Sequence, residues 1–162
     1  MLVLRFSKEM RNLNIALEYL ELGEKAPPGW FKASGHIIFD VKMDFMWKAW
    51  WVKDGHKTPD SATSSFAGVV SCESIRIGLS YAALLGLPVI GGDIRNTYLQ
   101  APCSEKHFIV CGPEFGTENV GRVALIRRAL YGGKVAGRDF WHHLRECMGR
   151  LGYTSSRAYP DV

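Results

Sequence analysis

The stretch His36-Ile-Ile-Phe-Asp-Val-Lys-Met-Asp44, followed by Lys48-Ala-Trp-Trp-Val52, decides the fold class of this 162-residue chain. β-branched and aromatic residues alternate there with polar ones, the period of two expected of a half-buried strand, and Asp44 falls where a turn would reverse the chain. A β-hairpin is therefore predicted over residues 36–52. Such a hairpin, set among strands and helices that interleave irregularly, points to an α+β layer rather than a doubly wound parallel sheet.

Toward the N-terminus, Met10, Leu13, Ala16, Leu17 and Leu20 recur at three- and four-residue steps. This spacing predicts an amphipathic helix over residues 8–22, with Gly23 where a helix end favours positive φ. Ala26-Pro27-Pro28-Gly29 then breaks regular structure. Residues 1–28 are expected as an N-terminal helix and linker, and 29–162 as the unit that follows.

Toward the C-terminus, residues 58–65 read as a loop, and Ile75, Leu79, Ala82 and Ala83 mark a helix that Ser71 or Ser74 would cap. Leu87-Pro88-Val89-Ile90 is expected as a short buried strand that delivers the chain, through Gly91 and Gly92, to Asp93. Residues 107–112 and 122–127 are predicted as two further strands around the loop Gly112-Pro-Glu-Phe-Gly116. Phe140, Leu144, Cys147, Met148 and Leu151 fall at helical spacing before Gly152.

With 47% hydrophobic residues the chain can bury one core. It has no run of roughly 18 uncharged apolar residues, and its N-terminal apolar patch is too short and too soon charged for a signal peptide. The expectation is a soluble, intracellular protein that is not secreted and meets no membrane. Twenty Lys and Arg against sixteen Asp and Glu give a net charge of +4, which admits a nucleic-acid partner without requiring one. Arg127, Arg128, Lys134, Arg138, Arg145 and Arg150 make the C-terminal third basic, either as a binding surface or as solvated helix and loop faces.

Cys72, Cys103, Cys111 and Cys147 contain no C-x-x-C pair, so reduced thiols are expected. Cys103, His107 and Cys111 have a C-x3-H-x3-C spacing that offers three zinc ligands. No fourth ligand is near, and strand parity alone puts the three on one face, which favours Cys111 as a small apolar core residue.

Four segments in order resemble the reverse transcriptase domain of copia-type retrotransposons. They are the two halves of the hairpin, Gly92-Asp-Ile-Arg-Asn-Thr-Tyr-Leu-Gln-Ala-Pro102, and Ala129-Leu-Tyr-Gly-Gly-Lys134. Cys111-Gly-Pro-Glu-Phe-Gly116, Val123-Ala-Leu-Ile-Arg-Arg-Ala-Leu130 and Ala158-Tyr-Pro-Asp-Val162 are similar to flanking stretches of that family, so the resemblance covers roughly residues 8–162. It implies the fingers and N-terminal palm of a right-hand polymerase, α+β, with a mostly antiparallel sheet and packed helices. It also implies RNA-directed DNA polymerase chemistry on an RNA template and DNA primer with deoxynucleoside triphosphates, within a larger polyprotein. The implied compartment is the cytoplasm, in a virus-like particle, with the nucleus as the alternative.

Residue by residue, Asp93 matches the first palm carboxylate and would be a catalytic Mg²⁺ ligand, since hard divalent cations select carboxylate oxygens. Taken without its neighbours it would read as a turn or N-cap aspartate. Tyr98 matches the aromatic that excludes a 2′-hydroxyl, though a core aromatic would look the same. Tyr131 and Gly132 match a nucleotide platform where glycine admits close backbone approach, and a plain tight turn would share that sequence. Lys48 would contact nucleotide, and Lys134 and Arg138 the nucleic-acid backbone.

The chain departs from the family at several of these places. Trp50 stands where an arginine suited to the triphosphate is usual and Trp47 where the pattern is often basic, leaving Lys42, Lys48 and Lys53 as cations. Gly133 replaces a usual leucine and Thr97 a usual small residue. No Tyr-Val-Asp-Asp type motif follows within 162 residues, so the second catalytic carboxylates are missing and the isolated chain is expected to be inactive. The alternatives are a non-catalytic nucleic-acid-binding or interaction module, whose tryptophans stack on bases, and a decayed transposon remnant.

Overall fold

The computed structural model describes residues 2–41, 43, 45–61 and 64–156. The turn position expected at Asp44, the cation Lys42 and the segment Ala158-Tyr-Pro-Asp-Val162 lie outside the described residues.

The predicted hairpin is present. Strands β3 (Gly35–Val41) and β4 (Trp47–Lys53) pair antiparallel with Ile37 opposite Trp51 and Asp40 opposite Lys48. Alternation then sorts the tryptophans. Ala49, Trp51 and Lys53 face inward, whereas Lys48 and Trp50 share the other face, with the Lys48 ammonium 4.3 Å from the Trp50 ring centre. Trp51 is 3% exposed and meets Phe115 edge-on, and a Cβ added at Gly35 would fall 2.2 Å from its ring. Gly35 is therefore the residue that lets the hairpin close over Trp51.

Helix α1 (Leu2–Asn14) begins earlier and ends earlier than its spacing predicts. The chain turns at Ile15 and Ala16, and residues 17–19 become strand β1 (Leu17–Tyr19) instead of a last helical turn. The cause is tertiary: Leu17 pairs with Ile126 and Tyr19 with Ala124, so these backbone groups bond to a neighbouring strand. Gly23 does take positive φ, at +88°, but in the turn after β1.

Strands β1, β6 (Val123–Ile126), β5 (His107–Val110) and β2 (Phe31–Lys32) form a mixed sheet in that order. The β1·β6 and β5·β6 pairings are antiparallel and β2·β5 is parallel. Met10, Leu13, Ala16, Trp51, Leu99, Ile109, Cys111, Phe115 and Ile126 join in one core, so α1 and β1 build into the same core as the hairpin and sheet. Sequestering each large aliphatic side chain there contributes roughly 2 kcal/mol. Cys111 packs as the small apolar residue expected.

Helix α2 (Cys72–Leu84) forms where predicted, with the Ser71 hydroxyl accepting from the Ser74 amide at 3.1 Å. It buries no side chain. The buried strand expected at residues 87–90 is absent: these residues have no regular structure, and Val89 and Ile90 are exposed. Pro88 lacks an amide donor and no described strand lies alongside, so the apolar run finds neither ladder nor cover. Short helix α3 (Thr97–Gln100) follows, and α4 (Ala136–Arg150) packs against it.

Candidate nucleotide and nucleic-acid site

Three elements converge around Tyr98. It projects from α3, and its ring centre stands 4.8 Å from that of Tyr131 in an edge-to-face arrangement and 6.3 Å from that of Phe140 in α4. Aromatic quadrupoles favour this geometry over a parallel sandwich. Two residues far apart in sequence and expected to serve one nucleotide are thus brought together. Burial raises the Tyr131 phenol above its ordinary pKa, and the neighbouring Tyr98, Glu9 and Asp93 add to this.

Asp93 itself is exposed, in an irregular segment, not at the end of a buried strand as expected. Among the described residues no three His, Cys, Asp or Glu side chains are grouped to hold a metal ion. The Cys103-His107-Cys111 series forms no ligand set either: the Cys103 thiol donates to the Glu105 carbonyl, and His107 and Cys111 are buried with Ile109 on one strand face.

Gly132 has φ +79°, and a Cβ there would fall 2.2 Å from the Lys53 carbonyl oxygen. A close backbone approach does require this glycine, but the partner is β4. The Lys53 amide donates to the Tyr131 carbonyl at 2.8 Å, and a Cβ at Gly55 would lie 2.1 Å from the Gly132 oxygen. The turn after Tyr131 is packed against the end of the hairpin.

The expected cations are mostly engaged within the protein. Lys134 donates to the Thr58 carbonyl at 2.9 Å and to Asp60 at 2.7 Å, pinning the loop after the hairpin. Arg138 donates to the Ser64 carbonyl, the Ser104 hydroxyl and Asp139. Arg127 pairs with Glu18, Arg128 donates to the Gln100 carbonyl and Arg150 pairs with Glu146. Lys48 is exposed on the hairpin beside Trp50.

Lys53 corrects the reading of it as a cation open to phosphate. Its side chain is 2% exposed, and Nζ sits 2.9 Å from Glu105 and 2.8 Å from His107 Nδ1. Burial, reinforced by the Lys53 charge, holds the His107 imidazole below its ordinary pKa against the opposing pull of Glu105. Beside it, Asp54 accepts from Lys57, Ser34 and His36, and these hydrogen bonds, led by Lys57, hold its carboxyl well below the carboxylate range. Sequence reasoning missed both clusters because each joins distant segments: Ser34 and His36 lie 20 and 18 residues from Asp54, and Glu105 and His107 lie 52 and 54 from Lys53. The one local signal is that His107 alternates in phase with Ile109 and Cys111.

No family model matches the chain, and no solved structure does. The chain is similar to two curated proteins of Arabidopsis thaliana, the retrovirus-related Pol polyproteins from transposons RE1 and RE2. The identities are 30% and 29% over 93 residues, 57% of this chain. It spans 6% of the length of either relative. The chain is a distant homologue of retrotransposon Pol polyproteins and of retrotransposon derivation.

Proposed function

We propose that the chain corresponds to the fingers and N-terminal palm of a copia-type RNA-directed DNA polymerase, and that the isolated 162 residues do not catalyse nucleotidyl transfer. The observation that supports this most directly is the Tyr98–Tyr131 contact. It joins residues of two segments that the family resemblance assigns to one nucleotide. In this reading Asp93 is one Mg²⁺ ligand, Tyr98 and Tyr131 bound the sugar and base, and RNA template, DNA primer and deoxynucleotide are the ligands. A single matched carboxylate cannot hold two hard cations, which need several oxygens to offset their dehydration.

Primer extension on a poly-rA template with Mg²⁺ or Mn²⁺ tests the claim of inactivity. No incorporation is expected from the isolated chain, and clear incorporation would overturn it. The placement in the nucleotide site has its own test. Crosslinking of a photoreactive deoxynucleotide should label peptides containing Tyr98 or Tyr131, and labelling confined to other peptides would refute it.

The exposed face carrying Lys48 stacked on Trp50 favours a second reading as a non-catalytic nucleic-acid-binding module. Binding of a labelled RNA–DNA hybrid should then weaken as salt rises to physiological ionic strength. Salt-independent binding would rule out backbone electrostatics.

A further inference from the structure

Helix α2 carries an apolar face that the rest of the protein leaves open. At about 100° per residue, Ile75, Leu79 and Ala82 fall to one side of Gly78 and Ile77, Tyr81 and Leu84 to the other, while Glu73, Arg76 and Ser80 share the opposite face. None of these side chains is buried, and Ile77 and Leu84 are 69% and 84% exposed. Scattered apolar residues on a surface need no explanation, but a continuous face of them marks a contact surface.

Charge, shape and area point to a second copy of the chain as what covers it. Between Phe66 and Gly92 the only ionised side chains are Glu73 and Arg76, both on the far side of the helix, so two copies meet here without like-charge repulsion although the chain as a whole carries +4. A nucleic acid would find no basic surface on this face, and a helix lying on lipid would line its polar face with lysine and arginine. In shape, a Cβ at Gly78 would meet open space, so Ser74, Gly78 and Ala82 form a low row between a ridge of Ile75 with Leu79 and a ridge of Ile77 with Tyr81. A helix with such rows is complementary to itself, the ridge of one copy seating in the groove of the other. A fully exposed aliphatic side chain offers roughly 60–120 Å² and a tyrosine 150–250 Å², so the face offers on the order of 500 Å² per copy and about 1,000 Å² in a pair. That reaches the size at which specific interfaces begin.

We propose that the chain self-associates through α2 as an isologous dimer in which the Gly78-centred faces of two copies pack together. An interface at that lower limit of size makes the dimer reversible, not obligate. The inference rests on α2 alone and is independent of the polymerase reading.

Sedimentation velocity of the reduced full chain, from low micromolar to several hundred micromolar, tests it. A reversible monomer–dimer equilibrium is expected. Leu79→Glu and Tyr81→Glu should each weaken association at least tenfold, because each places like charges across a two-fold interface, while Ser80→Glu on the opposite face leaves it unchanged. Far-UV circular dichroism checks that each variant keeps its helices. The unmodified chain supplies a second readout: amide hydrogen exchange across residues 72–84 should slow as concentration rises, with β5 and β6 unaffected. A monomer over the whole range, open-ended aggregation in place of a dimer, or equal weakening by Ser80→Glu would overturn the proposal. So would co-sedimentation of the dilute monomer with phosphatidylcholine vesicles, which would assign the face to lipid.

Discussion

Lys53 Nζ lies 2.9 Å from Glu105 Oε2, with the two side chains 2% and 8% exposed. The pair ties the last residue of β4 to the segment that enters β5, so it links hairpin and sheet. A buried pair of this kind need not be strongly stabilising compared with an apolar packing, because both charges were taken out of water. Removing one partner, however, strands the other. Lys53→Met and Glu105→Gln are each expected to cost about 3 to 5 kcal/mol in urea unfolding. The double variant Lys53→Met/Glu105→Leu should cost less than the sum of the single changes, and strict additivity would mean that the two charges do not interact.

The third member of that cluster sets a pH dependence. Because burial and Lys53 hold His107 below its ordinary pKa, the folded protein keeps it neutral while the unfolded chain takes up a proton near pH 6.5. The unfolded state therefore binds more protons below that pH, and the stability contributed by neutral His107 is lost as pH falls through it. Asp54, with its lowered pKa, contributes stability that persists until pH falls below the ordinary carboxylate range, near 4. Thermal melting is expected to drop between pH 7 and pH 5 and again on further acidification. His107→Gln should flatten the first drop and leave the second. A first drop of unchanged size in that variant would assign it to another group.

The turn after Tyr131 gives two adjacent glycines different expected tolerances. At Gly132 the left-handed φ costs an L-residue about 1 to 2 kcal/mol, and a Cβ would also fall against the Lys53 carbonyl. At Gly133 no left-handed φ is required, and the nearest atom to a Cβ is the Leu130 oxygen at 3.1 Å. Gly132→Ala should therefore destabilise the chain by about 2 kcal/mol or more, and Gly133→Ala by distinctly less, in chemical denaturation. Equal losses would show that the close approach of the turn to β4 does not limit this site.

Local pattern revealed the hairpin, the strands β5 and β6 and the helices α2 and α4, because each has a clear period or cap that neighbouring structure does not oppose. It misread residues 17–20 because Leu17 and Leu20 continue a helical spacing, and only the pairing of Leu17 with Ile126 makes a strand there. It misread residues 87–90 because an apolar run alone does not say whether a partner strand exists. The same limit applies to charge. Lys53, Lys134 and Arg138 count equally toward a basic surface in a composition, yet folding buries the first against Glu105 and joins the others to Asp60 and Ser104. The family resemblance gave Tyr98 and Tyr131 nucleotide roles without predicting their contact, and the Lys53–Glu105–His107 cluster likewise depends on chain pairing that no single segment encodes.

Helix α2 separates local from global stability. Its cap is well formed, with Ser71 accepting from the Ser74 amide, yet none of its side chains is buried and Ile77, Leu79, Tyr81 and Leu84 are half or more exposed. Loss of a serine cap costs a helix about 1 kcal/mol, and isolated helices of this length are marginal in water. A helix that lends no side chain to the core passes little of that loss to the rest of the fold. Ser71→Ala is therefore expected to speed amide hydrogen exchange across residues 72–84 several-fold while leaving the unfolding midpoint of β5 and β6 unchanged. A matching fall in the global midpoint would show that α2 is coupled to the core.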